Sequence, residues 1–495
     1  MTGQDPDAFR LPAAAARDSR WHRRLVVPVT GDEITGAVIG NALNHLPGVS
    51  APAVPTRIFS EGINVLWADY QWVRHMGPAR MIEAEPFLGL LRSLTDGVLD
   101  AAAAGARTVV DFSTDYVGAL PVIRSLYPDA ILVEVDGGWP PASTGTPTLS
   151  VTLDRLSGSL AAFRSFVRDL GLDADGSDLT AAHEALRSRQ VPGPAPSPPP
   201  AGARARGVST PPPDGMRDRL ITVVGCGRSG TTWLESLLMT HPLAGGIEET
   251  ETWLFHQLEP LWSNFESGSG LSAYLDEASF TQLLRRFCDA MFLSALASHS
   301  PGAEFFVEKS PIHSRYVSHI AAVYPDAWFI HLVRDGRDVA RSITKVPFFE
   351  QPSLVGAARM WTDTVREVVG SAPAVPRFRE LRYEQLFADP EQTVRDIFRW
   401  VGLPDGQAVA GPLHDAVSRR VSVHAGEAAR VGPGVWQNMR ASERAQIYAA
   451  AGGELVSRGY ATTFDVIRAA LHPAFLTARA EMRRQRAHQG DPPPQ

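Results

Sequence analysis

The chain is short of cysteine and lysine, and each shortage narrows its chemistry. Two cysteines, Cys226 and Cys288, are too few for a disulfide framework. No cluster of histidines and carboxylates has ligand spacing either, so no metal is expected. Long apolar runs are also lacking: none approaches the roughly 18 residues of a membrane span. The N-terminal stretch carries Asp5 and Asp7 rather than a charged-then-apolar leader. There is no excess of positive charge, and a net charge of −7 gives no general attraction to nucleic acid. These absences set the expectation of a cytoplasmic protein with neither a membrane nor a nucleic-acid partner. Of the 47 basic residues only Lys309 and Lys345 are lysines. Arginine's planar fork does not replace a compact ammonium, so a lysine kept in this chain marks a place that needs one.

What is present is the composition of a soluble globular protein, 44% hydrophobic and 20% charged over 495 residues, enough for two or three domains. Residues 1–22 are Ala-, Pro- and Asp-rich without periodicity and are expected to be disordered. From Arg24 strand and helix patterns alternate to about residue 190. Residues 191–216 form a Pro/Ala/Gly-rich linker, residues 217–486 a second domain, and 487–495 a loose tail.

The second domain opens on its most informative stretch. The apolar run Leu220–Val224 leads into Gly225-Cys226-Gly227-Arg228-Ser229-Gly230-Thr231-Thr232, followed by helical spacing at Leu234, Leu237 and Leu238. Strand, glycine loop and helix make a phosphate cradle: glycines let backbone N–H groups turn inward, and the helix N-terminus adds partial positive charge. A nucleotide-hydrolysing loop needs Gly-Lys-Ser/Thr. Thr231 follows Gly230 here and the cation is Arg228, which suits a single 5′-phosphate.

Arg228-Ser229-Gly230-Thr231-Thr232 resembles the 5′-phosphosulfate loop of sulfotransferases that use 3′-phosphoadenosine 5′-phosphosulfate (PAPS). A second signature follows in the right order. The buried strand Trp328–Val333 leads into Arg334 and, eight residues on, Ser342, which matches the family's 3′-phosphate pair. The resemblance implies an α/β fold, the parallel-sheet P-loop sulfotransferase fold, with PAPS as co-substrate and PAP as product. It also implies cofactor contacts from Arg228, Ser229, Gly230, Thr231, Thr232, Arg334 and Ser342, and from Tyr383 in Leu381-Arg382-Tyr383-Glu384-Gln385-Leu386. Lys345, one turn beyond Ser342, is within reach of the same phosphate. Arg430-Val431-Gly432-Pro433-Gly434-Val435-Trp436 is similar to the family's closing loop, with spacing one residue shorter and no middle lysine, which brings in Arg430 and Gly432. Arg337 and Arg341 are expected to pair with Asp335 and Asp338 on exposed faces.

Sulfuryl transfer needs cations beside the leaving phosphate and a base beside the acceptor hydroxyl. Arg228 and Lys309, the latter at the end of the strand Phe305–Val307, supply the cations. Tyrosylprotein sulfotransferases share the loop, then His-Pro, then Gly-x-Glu-Glu-Thr. This chain has His241-Pro242 and Gly246-Ile247-Glu248-Glu249-Thr250, and the family's catalytic base falls on Glu249, with Glu248 next. Cytosolic aryl members use a histidine, which keeps His256, His313 and His331 as lesser candidates; His331, inside a strand, reads as core.

The first domain reads as a diverged, degenerate copy of the second. Leu126-Tyr127-Pro128-Asp129-Ala130 recurs 197 residues later as Val323-Tyr324-Pro325-Asp326-Ala327, and at the same offset Val110-Asp111-Phe112-Ser113 meets Val307-Glu308-Lys309-Ser310. In this copy Phe112 stands for Lys309, Gly137 for Arg334, and Val29-Thr30-Gly31-Asp32-Glu33 for the phosphate loop. Its role, as a wall of the acceptor cleft or a mimic of a dimer partner, stays open. The acceptor is a hydroxyl-bearing small molecule, glycan or peptide. Competing readings are a P-loop nucleotide kinase and a nucleotide-binding scaffold without turnover.

Overall fold

The computed structural model describes residues 23–51, 54–72, 77–137, 148–191, 215–247, 250–268, 270–346, 353–419 and 432–489. Glu248, Glu249, Arg430, most of the expected linker and both termini lie outside these residues. The chain divides into two compact units. Unit 1 comprises Met1–Gly215 with Gln257–Met291, and unit 2 Met216–His256 with Phe292–Gln495.

Each unit is built on a five-stranded parallel sheet. In unit 1 the strands are β1 (Arg24–Val29), β2 (Val49–Ser50), β3 (Thr108–Val110), β4 (Ile131–Val135) and β5 (Leu149–Val151), in spatial order β2-β3-β1-β4-β5. In unit 2 they are β6 (Leu220–Val224), β7 (Ala244–Gly245), β8 (Phe305–Lys309), β9 (Trp328–Val333) and β10 (Phe378–Arg382), in order β7-β8-β6-β9-β10. The two orders are the same once strands are counted from the start of each unit. The register agrees as well: Val26 pairs with Val110 and Ile131, and Ile221 pairs with Val307 and Trp328.

Helices follow the same plan. Unit 1 has α1 (Glu33–Leu43), α2 (Ala84–Ala103) and α3 (Leu120–Leu126). Unit 2 begins with α4 (Thr231–Leu238), and α5 (Glu277–His299) runs from unit 1 into unit 2. Unit 2 continues with α6 (Val317–Val323), α7 (Gly336–Ile343), α8 (Leu354–Ser371), α9 (Tyr383–Ala388), α10 (Pro390–Val401), α11 (Gln407–Arg419) and α12 (Ala441–Ser457). Strands of an all-parallel sheet are buried on both faces and read as continuous apolar runs. In unit 2 one core joins Ile221, Val223, Ile330 and Leu332 to Leu234, Leu237 and Leu238 of α4 and to Ile397 and Phe398 of α10. A second core joins Val333 to Val339 and Ala340 of α7, Trp361 of α8 and Ile447 of α12.

The sequence places residues 257–291 with the second domain, whereas their contacts are with the first. Asn264 Nδ2 donates to Glu61 Oε2 at 2.7 Å, Tyr274 donates to the Val54 carbonyl, and Phe287 packs 6.1 Å from Phe87. Leu283 lies so close to Gly97 that a Cβ there would stand 2.4 Å from it. Sequence periodicity reports which residues are buried, and not against which partner.

Close packing at one glycine fixes the start of α7. A Cβ on Gly336 would sit 2.5 Å from the ring of Trp361, which is fully buried and donates Nε1 to the Arg334 carbonyl at 3.0 Å. Gly336→Ala is expected to destabilise unit 2 by about 1–3 kcal/mol, the usual range for overpacking. Thermal unfolding should show the drop, and an unchanged transition would mean the ring moves aside freely.

Candidate active site

The phosphate loop of unit 2 has the backbone that its glycines require. Gly225 (φ 149°) and Gly230 (φ 98°) both lie at positive φ, and so does Arg228 (φ 74°). A Cβ at Gly225 would meet the Leu332 carbonyl at 2.5 Å, and one at Gly230 would meet the Tyr383 ring at 2.7 Å. The loop is tied from outside by Ser314, whose Oγ accepts from the Gly225 N–H at 2.9 Å. Cys226 is buried and its thiol is pushed up to about 12 by that burial, so it is no nucleophile near neutral pH.

At the end of β9 the chain brings the second signature to the same place. Arg228 Nε donates to Ser342 Oγ at 3.1 Å, and Arg334 Nη1 donates to the Arg228 carbonyl at 3.4 Å. The Arg334 guanidinium lies 4.4 Å over the ring of Tyr383. Burial, and the neighbouring charge of Arg334, hold the pKa of Arg228 below its ordinary value. Two cations held this close favour an anion between them. Two buried donors point the same way, since Ser229 Oγ and Arg334 Nε have no hydrogen-bond partner among the described residues. Arg228, Ser229, Gly230, Arg334, Ser342 and Tyr383 thus converge, with Thr231 and Thr232 opening α4 behind the loop. Lys345 is exposed in the turn after α7, its N–H on the Ser342 carbonyl. Gly432 packs against Phe387, where a Cβ would stand 3.0 Å from the ring.

After β9 the expected pair of Arg337 with Asp335 is present, but its setting differs from expectation. Arg337 is not on an exposed face: it is buried, with Nη2 2.6 Å from Asp335 Oδ2 and Nη1 2.8 Å from the Tyr448 hydroxyl, and it stacks 3.4 Å over the Trp436 ring. Asp338 takes no bond from Arg341. It accepts the N–H groups of Gly434 and Trp436, both at 2.7 Å, and so fixes the segment that resembles a closing loop onto α7.

The end of β8 forms the other side of the site. Three consecutive residues grip the segment that follows Glu249. Glu308 Oε1 accepts from the Thr252 hydroxyl at 2.8 Å, Lys309 Nζ donates to the Thr250 carbonyl at 3.4 Å, and Ser310 Oγ accepts from the Trp253 N–H at 3.3 Å. Glu308 is fully buried and also receives Ser310 Oγ at 2.9 Å and His313 Nδ1 at 2.9 Å. Lys309 is buried too, with Nζ 3.5 Å from Glu235 of α4 and 3.9 Å from Glu251. His313 is therefore a structural partner of Glu308, His256 is bonded to the Tyr316 hydroxyl at 2.9 Å, and His331 is core, its pKa lowered by burial.

Glu235, Glu308, Thr252 and Ser314 escaped the sequence reading. A signal existed for Glu235: with Thr231, Leu234 and Leu238 it falls on the buried face of the helical pattern, where a carboxylate needs a reason.

Fold and site together define an α/β protein in which a loop of amides and hydroxyls faces an arginine–serine pair across the end of a parallel sheet. A family model described as the sulfotransferase family matches residues 221–407. Protein-tyrosine sulfotransferase 1 of Danio rerio is 29% identical over 199 residues, covering 38% of this chain and 55% of the relative. An omega-hydroxy-beta-dihydromenaquinone-9 sulfotransferase of Mycobacterium bovis is 32% identical over 110 residues, 20% of this chain and 28% of the relative. The chain thus spans about half the length, or less, of these curated relatives. Among solved structures, a sulfotransferase from Alicyclobacillus acidocaldarius aligns with a TM-score of 0.30 at 17% identity, covering 48% of this chain and 93% of that one.

The grip of Glu308 on Thr252 is testable. Thr252→Val keeps the shape and removes the donor, leaving a buried carboxylate short of one bond. It is expected to lower stability by about 1–3 kcal/mol, read from the unfolding transition; a loss below a few tenths would show that the bond is dispensable.

Proposed function

We propose that the protein transfers a sulfuryl group from PAPS to a hydroxyl of an acceptor, giving a sulfate ester and PAP. The observation that carries this reading is the meeting of Arg228 with Ser342 and Arg334, which joins the 5′ loop to the 3′-phosphate pair. Bound in that cradle, PAPS supplies the activated sulfuryl group on its 5′-phosphate. Arg228, the hydroxyls of Ser229, Thr231 and Thr232, and the N–H groups of the loop hold that end. Arg334 and Ser342 take the 3′-phosphate, with Tyr383 under the Arg334 guanidinium. Lys309 and Arg228 face the negative charge that develops on the leaving phosphate.

Glu249 is the proposed base and receives the proton of the acceptor hydroxyl, with Glu248 as its neighbour in sequence. Support comes from the resemblance and from the grip of β8 on Thr250, Thr252 and Trp253, which begins one residue after Glu249. The acceptor is a hydroxyl-bearing small molecule, glycan or peptide. The relatives' names speak of protein tyrosine in one case and a hydroxylated menaquinone in the other.

Unit 1 is proposed as a degenerate copy of the same fold that binds no PAPS. Strand order and register support it, and so does a shared latch. Asp111 accepts the N–H and hydroxyl of Thr56 at 3.0 and 2.6 Å, as Glu308 accepts the hydroxyl of Thr252. The next residues, Arg57 and Trp253, both have positive φ, 54° and 51°. Where unit 2 offers a cradle, unit 1 is filled. Asp32 caps α1 through the Thr35 N–H at 2.7 Å, Glu33 pairs with Arg57 at 3.1 Å, and the Phe112 ring presses on Gly36.

PAP should raise the melting temperature of the protein, and ADP with magnesium should not. Arg228→Ala and Arg334→Ala should each weaken PAP binding by about 1.5–3 kcal/mol, lost charge-assisted bonds, while Asp32→Ala leaves it unchanged. Glu249→Gln should keep PAP affinity and lose most turnover with PAPS. Stabilisation by ADP with magnesium alone would replace this reading with a nucleotide kinase.

A further inference from the structure

A buried lysine that serves a cofactor needs something to hold it before the cofactor arrives. Glu235 lies on α4, the helix that the phosphate loop opens into, and is almost fully buried. Its Oε2 is 3.5 Å from Lys309 Nζ, closer than Glu251 Oε1 at 3.9 Å. Lys309 itself is only 3% exposed, so neither charge has water to fall back on. A buried ion that loses its partner is strongly penalised, and a carboxylate in that position escapes the penalty by taking a proton.

We propose that Glu235 is a positioning residue for Lys309: it holds the ammonium while the nucleotide site is open and yields it to the bound cofactor by taking up a proton from solvent. The identity of that cofactor rests on the sulfotransferase reading above. The loop that would hold its phosphates leads directly into α4, so an anion placed there competes with Glu235 for Lys309. An ammonium has three donors and no acceptor, and each one turned toward a phosphate oxygen is withdrawn from the carboxylate.

The electrostatic surroundings favour this exchange. Burial already pushes the Glu235 carboxyl up to about 8, Lys309 draws it back, and Glu308 and Glu251 add to the rise. Among the described residues, the charged groups that face Glu235 are thus Lys309 and Glu308 from β8 and Glu251. From the other side α10 and α11 meet α4 through apolar residues, Ile397, Phe398, Val409 and Leu413 against Leu234, Leu237 and Leu238. Adding a polyanion raises the carboxyl pKa further. Binding then takes up protons at a pH at or above the value in the free protein, and affinity falls as pH rises through that window. Well below that value Glu235 is protonated in both states and the uptake disappears.

Calorimetric titration of the full chain with PAP, at pH 8 in buffers of different ionisation enthalpy, counts the protons. The expected result is uptake of up to about half a proton per PAP, since Glu235 is already about half protonated at that pH, and its absence in Glu235→Gln although PAP still binds. An equal uptake in the variant, or none in the unsubstituted protein, would overturn the proposal and leave the sulfotransferase reading standing. Failure of PAP to bind the unsubstituted protein at all would sink both. If Glu235→Gln does not fold, the unsubstituted protein decides alone: uptake at pH 8 that vanishes at pH 6 supports the exchange, and uptake independent of pH refutes it.

Discussion

A carboxylate cut off from water governs the active side of unit 2. Glu308 receives the hydroxyls of Thr252 and Ser310 and the ring of His313, which is enough to keep a buried carboxylate satisfied. Because those donors come from separate turns of chain, the carboxylate sets where they lie relative to β8. Lys309 is the next residue, so its contact with Thr250 is fixed by the same anchor. Charges on the opposite side have anchors of their own. Arg228 and Arg334 are held by loop glycines, by Ser342 and by Tyr383, and the sheet carries both sets on neighbouring strands β8, β6 and β9.

The site therefore sets a cation pair held by loop and serine contacts beside a buried lysine that shares a carboxylate. Arginine keeps its charge in any protein environment, so Arg228 and Arg334 suit permanent recognition of phosphate. Lysine next to a carboxyl of raised pKa suits an exchange that depends on what is bound. Of the two lysines of the chain, Lys309 is the buried one beside these carboxylates, while Lys345 is exposed in the turn after α7.

Much of this was legible in the residues, for reasons that can be named. The strand Trp328–Val333 and the helix beginning at Thr231 are strong local patterns, and the structure has both within a residue. The convergence of Arg228, Arg334 and Ser342 followed from two signatures on strand-to-helix junctions of one sheet. The surroundings of buried charges were less legible: the pairing of Arg337 with Asp335 was expected, but nothing in the spacing tells that the pair is buried and reaches Tyr448, or that Glu308 reaches Thr252. Neither was the allegiance of residues 257–291, whose apolar periodicity fits packing against either unit. Hydrogen bonds between residues distant in sequence carry no periodic trace, and these were the ones missed.

The burial of Arg337 sets a boundary that sequence similarity does not. The family match ends at residue 407, yet this guanidinium is completed by Trp436, by the Tyr448 hydroxyl and by the Tyr460 carbonyl at 2.6 Å. Tyr460 in turn donates to Glu384, beside Tyr383, at 3.0 Å. The smallest piece of this chain able to keep Arg337 fully partnered therefore extends some fifty residues past the matched region. A fragment trimmed to the homologous region would retain every signature residue of the two motifs and still expose the underside of the shelf they rest on.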